Sequence, residues 1–397
     1  MRQGAAATFC VLGLLAGAIA AGPAQADGPG VGTPAVVAVG DSAISGEAGR
    51  WAGNSNGSPS RVDALGPTAY YDNASRTAET TRGCHRSWAA EIHIATTISA
   101  NLACSGARTY TQPYSSGSNF KPGLDFYDDG QGHIGQAKAL QQYAATHNVK
   151  MVVVLIGANN FGFASVVQRC LTNWLTSPTW WKNYCSDDSA VTSMFTSAYI
   201  TEQRNRVIGA FTNLKNAMTA AGYGAGSYTL VAQTYSSPIP NGSGFRYSEG
   251  GYSRQTIGGC GVWNRDANWA NATMVTTLNG VVRDAATAHN VPVLNAESAL
   301  SGHRLCENTV GLLEEKGIAN WTSPGAADRT EWVSQIRTVT TLVPPYQLQE
   351  DLHPSYWGQK ALRNCVRQAY NNGAPRGGTC TSTGGLNSRG EPNMTLG

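Results

Sequence analysis

The chain has 397 residues, of which 41% are hydrophobic and only 13% charged, against ~25% charged in ordinary soluble domains. A net charge of +3 beside 10 Trp and 16 Tyr excludes a disordered chain, which is poor in aromatics and rich in net charge. The 28 Lys and Arg are scattered without a basic run, which argues against a nucleic-acid partner.

The N-terminus reads as a signal peptide over residues 1–26. Arg2 precedes an apolar run at 5–21 that glycines interrupt, and Pro23-Ala24-Gln25-Ala26 offers a cleavage site before Asp27. A membrane anchor would need ~20 unbroken apolar residues. Cys10 lies inside the run, so cleavage would leave eight of the nine cysteines. The expected product is secreted, monomeric and without a stable membrane span.

Strands are expected at Ala35–Val39, Met151–Ile156 and Tyr228–Val231, and more weakly at Val291–Leu294, where β-branched apolar runs suit a sheet buried on both faces. Helices are expected at Ser87–Ala100, Ile134–His147, Glu202–Ala220, Ala270–His289 and Ser355–Tyr370, the last behind Pro354. This alternation implies a three-layer α/β/α sandwich with a mostly parallel sheet. Two stretches interrupt it and read as inserts in loops. Residues 161–195 carry Trp174, Trp180, Trp181 and Tyr184, and residues 236–268 are rich in Gly, Ser, Asn and Tyr. One domain is expected over 27–375, followed by a polar tail at 376–397, poorly ordered beyond Cys380.

Eight cysteines in an oxidising compartment favour disulfides. No C-x₂-C pair is present, so a metal site is not expected. Eight cysteines allow 105 connectivities, and sequence does not choose among them. Pairing of nearest neighbours is the working expectation: Cys84–Cys104, Cys170–Cys185, Cys260–Cys306 and Cys365–Cys380. Closing a loop of about 15 residues is worth roughly 3 kcal/mol in the chain-entropy picture.

Four short elements could carry chemistry. Gly40-Asp41-Ser42 ends the first strand, where open parallel sheets place their active groups. Ser105-Gly106 combines a turn with a backbone N–H that a ligand can approach closely. Gly157-Ala158-Asn159-Asn160 follows a buried strand, and a side-chain amide there suits an oxyanion. Glu350-Asp351-Leu352-His353-Pro354 supplies a histidine, the side chain best suited to proton transfer near neutrality. By contrast, Gly53-Asn54-Ser55-Asn56-Gly57 matches G-x-S-x-G without the strand and helix that a nucleophile elbow needs, and reads as a loop. The remaining histidines read as structural.

In this order the four elements resemble the blocks of the SGNH (GDSL-like) hydrolase family. Ser42–Trp51, Gly83–Ser87 and Tyr356–Ala361 are similar to its secreted, disulfide-bearing actinobacterial branch, in which Cys84 and Cys104 would pair. The resemblance implies a flavodoxin-like SGNH fold and a serine carboxylic-ester hydrolase without cofactor or metal. Ser42 would be the nucleophile and His353 the base. The N–H groups of Ser42 and Gly106 and the amide of Asn159 would form the oxyanion hole. The sequence departs from the family twice: Glu350 stands where the acid is usual, with Asp351 displaced by one, and Asn160 replaces an aspartate. By spacing Glu350 is the expected orienting acid, with Asp351 or a backbone carbonyl as alternatives. A lipid or other small-molecule ester is the expected substrate, ahead of an acylated carbohydrate. A catalytically inactive exported binding protein is the rival class.

Overall fold

The computed structural model describes Met1 and residues 27–115, 119–337 and 345–397. The predicted signal sequence, with Cys10, lies outside the described residues except for Met1. Seven strands form one sheet in the order β2-β1-β3-β4-β5-β6-β7. They are β1 (Pro34–Gly40), β2 (Ile98–Asn101), β3 (Asn148–Leu155), β4 (Thr229–Gln233), β5 (Val293–Asn295), β6 (Gly378–Leu386) and β7 (Pro392–Leu396). All neighbours are parallel except β6 and β7. Helices flank the sheet, so the architecture is the α/β/α sandwich that the strand–helix alternation implies. Ser197–Ala220 packs between Gln136–Ala144 and Thr276–His289, while Tyr356–Tyr370 packs on β5, β6 and β7.

β1 and β3 are buried almost throughout, because central parallel strands are covered on both faces. In register, Val36 stands beside Met151 and Val37 beside Val152. The order 2-1-3 reverses the direction of winding between β1 and β3. At such a switch point the loops beyond the strand ends diverge and leave a crevice. The loops after β1, β2 and β3 carry Ser42, Gly106 and Asn159, so the topology itself assembles the site.

Three expectations are corrected. Ser87–Ala100 is not a helix: it runs as turns into β2. Distant side chains take its backbone groups instead. Arg363 donates to the carbonyls of Trp88 and Ala90 at 2.9 and 3.1 Å, and Gln359 accepts from the N–H of Glu91 at 3.1 Å. Ala95 then has a φ of +61°, a left-handed conformation that a helix does not contain. Residues 161–195 are not merely a loop, because Phe163–Thr176 is helical. Its apolar residues Phe163, Val166, Val167, Cys170, Leu171 and Trp174 recur at helical spacing. Nor is 376–397 a loose tail. β6 joins the sheet beside β5, and β7 folds back on it. Arg367 holds Glu391 through two 2.6 Å contacts, which docks the hairpin on the last helix.

The cysteines form the bridges Cys84–Cys104, Cys170–Cys185, Cys260–Cys306 and Cys365–Cys380. Cys84–Cys104 and Cys260–Cys306 join loop to loop, Cys170–Cys185 ties the helix Phe163–Thr176 to the segment after it, and Cys365–Cys380 ties the last helix to β6. The G-x-S-x-G match lies in a loop, where Ser55 donates to Glu314 at 2.9 Å.

Candidate active site

β1 ends at Gly40, whose φ is +142°. A Cβ there would lie 1.9 Å from the carbonyl oxygen of Leu155, so only glycine lets the two strands close at this point. The chain then turns into the short helix Ser42–Ser45, and the carboxylate of Asp41 accepts from the N–H of Ala43 at 3.2 Å. Ser42 is thereby presented at the carboxyl end of the sheet. Its Oγ lies 2.6 Å from Nε2 of His353.

The other ring nitrogen fixes the proton. Nδ1 of His353 lies 3.0 Å from the main-chain oxygen of Asp351. A carbonyl can only accept, so Nδ1 carries the hydrogen and Nε2 offers its lone pair to the serine hydroxyl. Leu352, between them, has a φ of +61°, a conformation that costs a bulky L-residue about 1–3 kcal/mol. The cost is borne by a local clamp: the N–H of Leu352 donates to Ser334 at 3.0 Å, and the N–H of Ser334 donates to His353 at 2.9 Å. The strained turn aims the imidazole.

Glu350, the expected orienting acid, is corrected here. Its carboxylate accepts from the hydroxyl of Tyr70 at 2.5 Å, the indole of Trp51 at 2.8 Å and the N–H of Gln347 at 3.0 Å. These donors turn it away from the imidazole and make it a buried anchor. The Asp351 side chain is not the substitute. Burial pushes its carboxyl up to about 8, and it is the carbonyl of Asp351 that meets the histidine.

Asn159 follows β3 on the turn Ala158–Phe161. Its amide nitrogen donates to the carbonyl of Ala107 at 3.0 Å, which leaves the second hydrogen of that nitrogen for another acceptor. Asn160 is buried. It accepts from the N–H of Thr109 at 3.1 Å and donates to Thr109 and Gln203 at 2.9 and 3.1 Å. These bonds lock the β2 and β3 loops together, which is what the neutral amide does at this position. Ser42, Asn159 and His353 line one pocket. Gly106, in the left-handed region at φ +77°, does not line it.

Two contributors escaped the sequence reading. Tyr235 donates its hydroxyl to Asp41 and accepts from the N–H of Ala158 at 3.0 Å, so one phenol ties together the turns carrying Ser42 and Asn159. Glu47 is fully buried one turn beyond Ser42 and pairs with Nδ1 of His85 at 2.7 Å. Burial alone would raise its carboxyl, but His85, His353 and Ser105 outweigh that and hold it low. On His353, burial pushes the imidazole below its ordinary value, while the Glu47 charge and the Asp351 carbonyl oppose the fall.

Beside the Ser42 pocket lies a second cavity. Phe163, Pro238, Val275 and Leu352 belong to both. Beyond them its walls are Val166, Val167, Leu171, Ile239, Met274 and Trp269, almost wholly apolar. Sequence offered one signal for it, the helical spacing from Phe163 to Trp174.

No protein-family profile matches the chain, and no curated protein sequence matches it. Among solved structures it is similar to an extracellular lipase from Streptomyces rimosus, with 17% identity, 86% of this chain and 100% of that one covered, and a TM-score of 0.46. It is similar to phospholipase A1 from Streptomyces albidoflavus, with 18% identity, coverage of 86% and 100%, and a TM-score of 0.44. A carbohydrate acetylesterase from Sinorhizobium meliloti follows at 10% identity, coverage of 71% and 92%, and a TM-score of 0.28. Likenesses this distant do not carry a function across.

Proposed function

We propose that this protein is an exported serine ester hydrolase of the SGNH type, acting on esters with an apolar acyl chain. The 2.6 Å contact between Ser42 Oγ and His353 Nε2 supports this reading most strongly, because it pairs a nucleophile with a base in the correct tautomer. Ser42 Oγ attacks the acyl carbonyl as its proton passes to Nε2. The resulting oxyanion accepts from the second Asn159 hydrogen and the N–H of Ser42. Imidazolium then protonates the leaving alkoxide, so the C–O bond breaks and the alcohol departs. Water, deprotonated by the same nitrogen, attacks the acyl-serine, and the imidazolium returns that proton to Ser42 Oγ as the acid departs. The apolar cavity beside Ser42 supports a hydrocarbon acyl group.

The test uses p-nitrophenyl esters of two and eight carbons. Wild-type enzyme should turn both over and bind a serine-directed phosphonate, and Ser42→Ala should do neither. Inert wild type with no label uptake would remove the enzyme reading, and activity in Ser42→Ala would remove the nucleophile.

A further inference from the structure

The helix Phe163–Thr176 runs away from the Ser42 pocket. Its first residue, Phe163, lines that pocket, and Val166, Val167, Cys170 and Leu171 line the apolar cavity in succession. At 1.5 Å per residue its 14 residues span about 21 Å. Just past its far end stand Trp180 and Trp181, 81% and 73% exposed. Leu175, one residue before the end of that helix, and Tyr252, edge-on to Trp174, are exposed as well. Most large apolar side chains hide when they can, and a cluster left in water marks a contact surface.

The tip is held, not loose. The N–H of Trp181 donates to the carbonyl of Pro178 at 2.9 Å, the N–H of Asn183 donates to the hydroxyl of Ser177 at 3.1 Å, and the bridge Cys170–Cys185 closes the segment. Folding therefore keeps two indoles in solvent at a fixed place. The hollow beneath Trp180 adjoins the cavity through one stretch of chain: Gly261 and Val262 line the cavity, while the next residue, Trp263, lines the hollow.

Charge narrows the occupant. The ionic groups around the tip are matched: Lys182 with Glu249, Arg265 with Asp187, and Arg169 with Asp188. A surface without net charge gains nothing from an anionic bilayer, whereas indole rings settle at any boundary between hydrocarbon and water. We infer that Trp180 and Trp181 dock the protein on an uncharged lipid–water interface, so that an acyl chain leaves the lipid at this tip and follows the helix Phe163–Thr176 into the cavity beside Ser42. The inference rests on the ester-hydrolase reading for the acyl chain's fate, but the docking itself does not depend on catalysis.

Binding and turnover are therefore measured separately. Ser42→Ala protein is floated with phosphatidylcholine vesicles, with and without added phosphatidylglycerol. It should bind, and anionic lipid should not tighten the binding. Adding W180A/W181A should weaken binding by about tenfold or more, since two interfacial indoles are lost, and W180F/W181F should restore part of it. With Ser42 intact, W180A/W181A should keep turnover of soluble p-nitrophenyl butyrate within about twofold while vesicle ester turnover falls about tenfold. Absence of vesicle binding by Ser42→Ala overturns the inference, as does an equal loss on soluble and vesicle substrates. Concentration-dependent dimerisation abolished by W180A/W181A, or capture by insoluble polysaccharide in place of vesicles, also overturns it. Vesicle binding by a protein that hydrolyses no ester would leave the docking intact and remove the proposed function.

Discussion

Nδ1 of His353 lies 3.0 Å from the main-chain oxygen of Asp351, and among the described residues no carboxylate is hydrogen-bonded to it. An isosteric change at Asp351 keeps that carbonyl. Asp351→Asn should therefore leave kcat within a few-fold of wild type, whereas loss of an acid that held the tautomer costs about 10⁴. A loss of that size in steady-state kinetics would return the orienting role to the carboxylate. Glu350→Gln should act on stability instead. It removes an acceptor from a cluster formed with Tyr70 and Trp51, and a buried donor left unmade costs about 1–3 kcal/mol. Thermal melting should fall while kcat of the folded fraction is kept.

The difference between these two residues also shows what sequence could and could not convey. Ser42, Asn159 and His353 were legible because each sits where an apolar strand or a turn gives way to a polar residue, and that pattern is local. Glu350 was misread because spacing places a residue in the chain, while its partners Tyr70 and Trp51 lie 280 and 299 residues away. Tyr235 was invisible for the same reason, since nothing around it announces that its hydroxyl bridges two other loops. Ser87–Ala100 has helix-forming composition, but side chains of the last helix satisfy its backbone. The two terminal strands were hidden because Gly in β6 and Pro392 and Asn393 in β7 lower strand propensity, and an edge strand such as β7 does not demand an unbroken apolar run.

Protonation of His353 governs the acid limb of the kcat/KM profile, because only neutral imidazole can take the serine proton. Burial lowers its pKa below 6.5, so the limb should fall below the ordinary histidine range. Glu47 opposes that fall. Glu47→Gln removes a negative charge that favours imidazolium, so the limb should move to still lower pH. The plateau should drop as well, since imidazolium forms in the transition state. Glu47→Asp keeps the charge and should restore the limb. A limb that stays put in Glu47→Gln, measured on p-nitrophenyl butyrate, would show that this carboxylate only supports His85.

The apolar cavity makes a size prediction. Val167 faces it from the helix Phe163–Thr176, and Val167→Trp fills it without touching Ser42 or His353. Turnover of an octanoyl ester should fall by at least tenfold, or about 1.4 kcal/mol of lost differential binding, with the acetyl ester unchanged. Equal loss on both would mean that the acyl chain lies elsewhere.

A buried acid that makes no contact with the reacting groups should set the alkaline limit of stability. Glu91 is fully buried, and burial raises its carboxyl from 4.5 to about 8 despite Gln233 and Arg363 nearby. Between those two values the folded state holds a proton that the unfolded state has released. Stability from this group is therefore complete below about pH 4.5, declines as pH rises, and is gone above about 8. Asp351 adds to the same alkaline loss, its carboxyl also being raised to about 8, so Glu91→Gln should cancel only part of it. Gln cannot ionise, and the backbone N–H of residue 91 still reaches Gln359. The variant should melt at a higher temperature than wild type at pH 9 and close to it at pH 4. A Tm difference independent of pH would mean that Glu91 enters the folded state already charged.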